Sequence, residues 1–381
     1  MQHRVTVWSL IGVASVICLV GSLTVWVNRQ MLDNHAWNRA SQEIIQNPEV
    51  QTALSYYLVN SLYQNIDVAA ALRQRLPKGL EPLAAPAAAA LRQPAVNAVE
   101  LMLQRPRVQG LFINASSLAH EKLVNVLENK TGHGISTGNG EVTLNLSQLI
   151  VQLGTELGLS QGALSRIPPN AGTVTIMTSK QLSTAQTAVN LIRVLSAFLL
   201  IAVVVLYAVA VYLARGGRRV ALRSIGFILI AEGLILLVIR RIAGNYVTNG
   251  LAPPEYRHMT HTVWLISTSI LGQLGEALIL YGFVLVVGML LAGDTRPARA
   301  VRRWIAPVLN DHQGYAWGAI GFIWVLAILW GGTHALRTWW GILLIGALLA
   351  LGLEALRRQT LAEFGTAAEA PAEPGKAVPT A

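Results

Sequence analysis

The sequence contains very little cysteine and very little charge. Cys18 is the only cysteine in 381 residues and lies within a long apolar run, which excludes an intramolecular disulfide and argues against thiolate-bound zinc. Charged residues make up only 13% of the chain, apolar residues make up 53%, and the mean hydropathy is +0.48. A water-soluble protein of this size is far less apolar, so we expect lipid to be the solvent for part of the chain.

Acidic residues are scarcer than basic ones: the chain has 19 Asp and Glu against 29 Lys and Arg, a formal net charge of +10. A basic face would indicate nucleic-acid binding, but the arginines occur mainly in short clusters beside apolar runs. That distribution is typical of the loops that orient a membrane protein. We therefore predict the lipid bilayer as a partner and no nucleic-acid partner.

Six segments approach or reach the roughly 20 apolar residues that a helix needs to cross the hydrocarbon core of a bilayer. They are 5–27, 191–214, 220–239, 263–292, 315–332 and 339–356. The first run is too long for the apolar part of a cleaved signal peptide, and 21–26 offers no convincing cleavage site. We interpret it as an uncleaved signal anchor.

Arginine predicts the orientation of these spans, because cytoplasmic loops carry an excess of Lys and Arg. With the N-terminus inside, eleven arginines flank the inner ends of the spans: Arg4, Arg215, Arg218, Arg219, Arg223, Arg296, Arg299, Arg302, Arg303, Arg357 and Arg358. The short outer loops hold four: Arg240, Arg241, Arg257 and Arg337. We therefore predict a multi-pass protein of the cell membrane with both termini in the cytoplasm.

Residues 28–190 lie between the first two spans and mix apolar and polar residues with frequent turn signals, which predicts a folded extracytoplasmic domain. This domain should be mainly helical. Leu54, Leu58 and Leu62 recur at helical spacing, and Asp67 can cap a short helix at 68–76. Further helices are predicted at 94–103 and 108–128, with a short helix or semi-rigid connector at 83–91.

Two segments of this domain, 141–146 and 172–178, alternate apolar and polar residues as strands do. We expect them to pair into a small sheet that flanks a helix at 147–157. The tail, 365–381, is rich in Ala, Pro and Glu and should be disordered. The predicted fold class is an all-α membrane protein of about six transmembrane helices, with a mainly helical extracytoplasmic domain that carries a small two-stranded β element.

Three segments carry a resemblance to known proteins. They are LAGDTR at 291–296, RRWIAP at 302–307 and LEALRRQT at 353–360. They resemble segments of an uncharacterised family of actinobacterial multi-pass integral membrane proteins with a large helical extracytoplasmic domain. The resemblance covers most of the chain; it implies topology and host lineage and supplies no site residues.

Glu232 and Glu276 are the acidic residues well inside predicted spans, where an ionisable group is costly unless it is paired or hydrated. Ser269, Gln273 and Glu276 recur at helical spacing and form one polar stripe on the fourth span. One interpretation is a proton or cation path that uses both carboxyl groups. The other is structural: protonated carboxyls, or carboxyls bonded to Arg240, Ser269 or backbone, hold helices together.

Glu255, His258 and His261 form an E-x-x-H-x-x-H pattern just before the fourth span. On a helix these positions lie within about 120° of one face and could offer metal ligands. The pattern lacks the H-E-x-x-H arrangement that adds a general base to a zinc pair. Solvated histidines at the membrane interface are the alternative interpretation.

The sequence indicates no cofactor and no catalytic residue. We expect an envelope protein, more plausibly non-enzymatic than enzymatic, whose extracytoplasmic domain binds a protein, a lipid or a cell-wall component. The alternative is a transporter or channel for small solutes or protons that uses Glu232 and Glu276. A membrane-bound hydrolase would need convergent polar side chains in a pocket of the outer domain, and no nucleophile motif points to one.

Overall fold

The computed structural model describes residues 2–77, 79–128, 135–138, 141–145, 173–293, 298–300, 313–330 and 339–364, with 151, 155, 162, 296 and 303. Most of these residues are helical. Among them, four helices are long and apolar enough to cross a membrane: Arg4–Met31, Gln181–Leu213, Arg218–Leu251 and Ser269–Leu291. A membrane protein with at least these candidate spans follows from their length and composition.

The first half of the chain begins with α1 (Gln2–Trp26), which continues into a π-helical turn at Val27–Met31. Five helices follow. They are α2 (Asn34–Gln46), α3 (Pro48–Asn65), α4 (Val68–Arg73), α5 (Ala84–Leu103) and α6 (Pro106–Leu127). Helix α2 packs on α6, and α3 and α4 pack on α5.

Side-chain caps determine where several of these helices begin. The Asn47 carboxamide oxygen accepts hydrogen bonds from the amides of Glu49 and Val50 at the start of α3. The Asp67 carboxylate accepts one from Ala70 N at 2.8 Å and starts α4, as the sequence predicted. Helix α5 runs unbroken through Pro94, whereas the sequence predicted a separate element at 83–91 and a helix at 94–103.

The apolar stripe predicted on α3 is not the face that packs. The buried positions of α3 are Val50, Gln51, Ser55 and Val59, at the same helical spacing but on another face. Leu58 and Leu62 are 43% and 47% exposed. The spacing of the leucines therefore predicted the helix correctly, but it predicted the wrong face of the helix as the buried one.

A three-stranded antiparallel sheet is formed by β1 (Ile135–Gly138), β2 (Glu141–Asn145) and β3 (Thr173–Thr178), in that order. Strand β2 is central, and its register with β3 shifts between Val142 and Thr143. The sequence analysis did not include β1, which pairs with β2 as a hairpin. The predicted helix at 147–157 lies largely outside the described residues, and the tail at 365–381 lies outside them entirely.

In the second half of the chain, six helices have described bounds. They are α7 (Ser179–Leu213), α8 (Arg218–Tyr246), α9 (Arg257–Ser267), α10 (Ser269–Leu291), α11 (Gln313–Trp330) and α12 (Trp339–Phe364). A π-helical turn at Val247–Leu251 extends α8. The predicted fourth span, 263–292, is corrected: the helix breaks at Thr268, so the membrane-length part begins at Ser269.

Contacts divide the chain into two compact units. The first comprises Met1–Val20, Leu199–Val238 and Leu271–Ala381, and its core includes Ile11, Ala210 and Ile225. The second comprises Gly21–Phe198 and Ile239–Ile270, and a cluster of its core joins Leu32, Val124 and Val189. Glu232, within a candidate span, belongs to the first unit, and helices α2 to α6 belong to the second.

Candidate functional site

Glu232 lies in the middle of α8 and is only 3% exposed. Its side chain is directed to α7 and α1, because the Tyr207 hydroxyl of α7 is 3.5 Å from Glu232 Oε1 and the Cys18 thiol of α1 lies near the carboxyl. The Tyr207 hydroxyl is in turn 3.2 Å from Ser15 Oγ. We call Ser15, Cys18, Tyr207 and Glu232 the carboxyl cluster.

Burial favours a neutral Glu232. The Ser15 hydroxyl donates to the Ile11 carbonyl at 2.8 Å. The Tyr207 hydroxyl donates to Glu232 Oε1. An ionised carboxylate would be costly here, since the side chain is buried and its described neighbours are hydroxyls and a thiol.

Glycines on α8 explain how Glu232 comes to point away from α10. Helices α8 and α10 cross in close contact, with Gly233 against Gly275 and Gly226 against Gly282. A Cβ atom on Gly233 would lie 2.5 Å from the Gly275 carbonyl oxygen, so the backbones touch without intervening side chains. Because successive residues on a helix are about 100° apart, Glu232 leaves this interface and reaches the neighbouring helices.

The predicted polar stripe on the fourth span does not join this cluster. Glu276 is exposed on α10 and makes no hydrogen bond or ion pair with a described residue, while Ser269 and Gln273 are half-buried. The structural interpretation named Arg240 and Ser269 as possible partners of the carboxyls, but Glu232 is bonded to neither of them. Glu232 and Glu276 therefore occupy different environments, one buried among hydroxyls and one on the helix surface.

Arg240 has a different role, which is to stabilise the break between α9 and α10. Its Nε donates to Thr268 Oγ1 at 2.9 Å and its Nη2 donates to the Leu265 carbonyl at 3.0 Å. Trp264 Nε1 donates back to the Arg240 carbonyl at 3.1 Å. The last carbonyls of a helix have no donor within the helix, and here the Arg240 guanidinium donates to one of them, that of Leu265. The signal in the sequence was Ser267-Thr268-Ser269, since Ser and Thr compete with the backbone for helical hydrogen bonds.

The E-x-x-H-x-x-H residues are not assembled into a metal centre. Glu255 lies in a 3₁₀ turn at Pro254–Tyr256 before α9, and His258 and His261 follow on the helix. All three side chains are exposed. Within the described part of the chain, no group of three His, Cys, Asp or Glu side chains is placed to hold a metal ion.

A buried polar network that joins α2 and α6 was not predicted. His120 on α6 is 5% exposed and stacks on Trp37 of α2, with ring centroids 4.3 Å apart. One ring nitrogen lies 3.0 Å from the Met31 carbonyl and the other lies 2.9 Å from Asn34 Oδ1. A carbonyl only accepts, so Nε2 carries a proton. The network ties α6 to α2 and to the turn that ends α1, which is a structural role.

Comparisons of the chain with protein-family profiles, with curated proteins and with solved structures each find no match. The resemblance to actinobacterial membrane proteins therefore stays a prediction. What the chain does has to be inferred from its own residues.

Proposed function

We propose that the chain is a non-enzymatic cell-envelope protein whose membrane helices carry an extracytoplasmic domain that binds a protein, a lipid or a cell-wall partner. The observation that supports this most is a line of exposed apolar side chains on α3 and at the residue where α3 ends. Leu58, Leu62 and Ile66 are 43%, 47% and 49% exposed. We call these three residues the α3 line.

The proposal includes six spans with both termini in the cytoplasm. The four candidate spans are joined by α11, of 18 residues, and α12, of 26 residues, which match the predicted fifth and sixth spans. At about 1.5 Å per residue, an 18-residue helix covers most of a hydrocarbon core of about 30 Å. The arginine distribution supports a position of residues 28–190 outside the cell membrane.

The α3 line has the geometry of a contact surface. Leu58 and Leu62 are four positions apart and form one stripe on α3, and Ile66 follows where the helix ends, while the neighbouring stripe through Val59 packs inside the domain. Exposed leucines at regular spacing are costly in water, and contiguous apolar surface on a folded domain usually marks an interaction site. The chemistry favours an apolar surface on a protein or lipid over a polysaccharide.

The alternative, a transporter or channel that uses Glu232 and Glu276 together, has less support. Glu232 is buried among hydroxyls, and Glu276 is exposed on another helix. A coupled path needs carboxyls that share a hydrated route, and the observed contacts of Glu232 lead to Tyr207 and Ser15 instead.

Replacing Leu58 and Leu62 by asparagine in the full-length protein should abolish capture of the partner. We expect in-cell crosslinking followed by affinity purification to retain a protein or lipid on the wild type and to lose at least about nine-tenths of it on the double variant. The reason is that two half-exposed leucines each contribute on the order of 1 kcal/mol to an apolar interface.

The matched control makes the same two changes at Leu91 and Leu101 on α5, which are 47% and 63% exposed. It should retain the partner at the wild-type level. Equal loss from both variants, or no loss from L58N/L62N, would contradict the assignment to the α3 line. Whether protein or lipid is lost identifies the class of partner.

A further inference from the structure

A cavity of about 740 Å³ opens at one end of the membrane helices and is walled largely by arginine. Arg215, Arg218, Arg219 and Arg223 line one side, at the turn between α7 and α8. Met289 and Gly293, from the end of α10 and the residues just after it, form the opposite wall. We call this feature the arginine pocket.

The arginine pocket lies at the level of the lipid headgroups. Three candidate spans end there, since α7 ends at Leu213, α8 begins at Arg218 and α10 ends at Leu291. Basic groups at such a position meet the phosphate layer of the bilayer. The cavity volume is within the range of pockets that hold small ligands.

The turn that carries the arginines is tight and held in place. Gly216 has φ of +80°, which disfavours any side chain there, and the Gly217 amide donates to the Ala214 carbonyl at 2.9 Å. The Arg215 guanidinium stands 5.9 Å from the centroid of the Tyr212 ring, a cation–π distance that limits its freedom. The backbone of the turn and the Arg215 side chain are thus partly ordered before a ligand arrives.

The sequence around this turn is basic, since no Asp or Glu occurs between Glu156 and Glu232. Arginine donates paired hydrogen bonds that match the oxygens of a phosphate group, and it is less strongly hydrated than lysine. Four arginines around one cavity therefore offer several donors to a phosphate group that enters it.

From this arrangement we infer that the arginine pocket binds the phosphate-bearing headgroup of an anionic phospholipid, with Arg218 and Arg223 donating to the phosphate and Met289 closing the cavity from α10. This site is independent of the α3 line and of the partner proposed above. It also differs from general attraction of basic loops to a membrane, because it requires a cavity with a wall on α10.

The test uses the full-length protein in nanodiscs made of equal parts of phosphatidylcholine and phosphatidylglycerol. After gentle detergent release, native mass spectrometry counts the phosphatidylglycerol molecules that stay bound. We expect wild type to retain one strongly, and R218Q/R223Q to bind it about thirtyfold more weakly. Met289→Trp, which fills the cavity without changing charge, should lose a similar amount, whereas Met289→Leu should not.

The matched control is R296Q/R303Q, which removes two exposed arginines predicted to lie on the same side of the membrane. It should bind phosphatidylglycerol within about threefold of wild type, because it leaves the pocket intact. If R296Q/R303Q loses as much as R218Q/R223Q, or if Met289→Trp binds normally, the attraction is unspecific and the pocket assignment is overturned. If inorganic phosphate displaces the bound lipid completely, the ligand is free phosphate and the lipid assignment is overturned.

Discussion

Gly233→Ala is expected to destabilise the membrane bundle by about 1 to 3 kcal/mol, and Gly233→Leu by more. The added Cβ would lie 2.5 Å from the Gly275 carbonyl oxygen and 3.1 Å from Ile279 N. Both neighbours are backbone atoms of α10, so no side chain can rotate to make room and the helices must separate. The free energy of unfolding, measured in mixed micelles by titration with a denaturing detergent, gives the change directly.

The control for this prediction is Gly288→Ala on α10, where an added Cβ would meet nothing within 4 Å. That substitution should be neutral or stabilising by up to about 1 kcal/mol, because alanine favours a helix more than glycine does. Opposite signs at the two glycines are the expected result. Equal effects at both positions would mean that α8 and α10 do not cross at Gly233.

Glu232→Lys is expected to lower the free energy of unfolding by about 3 kcal/mol or more, whereas Glu232→Gln should change it by less than about 1 kcal/mol. Burial of Glu232 in a membrane helix favours the neutral acid, and glutamine offers the same shape with a donor and an acceptor. Lysine would place an ammonium group at a position that is 3% exposed. The same detergent titration measures the free energy of unfolding of both variants.

Glu276→Gln makes the same chemical change at an exposed carboxyl and is the control for Glu232→Gln. It should leave stability unchanged. A loss on Glu232→Gln as large as that on Glu232→Lys would show that Glu232 is ionised and paired, and would contradict the neutral arrangement with Tyr207 and Ser15.

The spans were the most predictable part of the molecule. A long apolar run has few alternatives to a membrane helix, and the four candidate spans overlap four predicted segments. Their ends were less predictable, because a single polar contact can break a helix. The break at Thr268 depends on Arg240, which is 28 residues away in the sequence and enters only when α8 and α9 pack.

Which face of a helix is buried was predicted less well than the helix itself. On α3 both the Val50 to Val59 stripe and the leucine stripe have helical spacing, and the sequence gives no reason to prefer the first. Burial is decided by the helices that α3 meets, chiefly α5. The exposed α3 line is therefore a finding of the structure, and the surface it offers could not have been assigned beforehand.

The sequence predicted one residue of the candidate site but not its contacts. Glu232 was singled out because carboxyls are rare in membrane helices, and that reasoning needs no partner. Its contact with Tyr207, and the position of Ser15 and Cys18 of α1 beside them, could not be predicted, since these residues are far apart in sequence and each is ordinary in an apolar helix. The shared path with Glu276 was suggested by the rarity of carboxyls in spans and by the helical spacing of Ser269, Gln273 and Glu276, and the structure does not bring Glu276 to Glu232.

Labelling of introduced cysteines in intact cells tests the central claim, that residues 28–190 form an extracytoplasmic domain on a bundle with cytoplasmic termini. The two positions are Gln64→Cys on α3 and Arg358→Cys on α12, both exposed. The unmodified protein is the control, because its only thiol, Cys18, is 5% exposed. A membrane-impermeant maleimide should label Gln64→Cys at once and Arg358→Cys only after the cells are permeabilised. Labelling of Arg358→Cys in intact cells, with Gln64→Cys protected, would reverse the topology and remove the basis for an envelope partner.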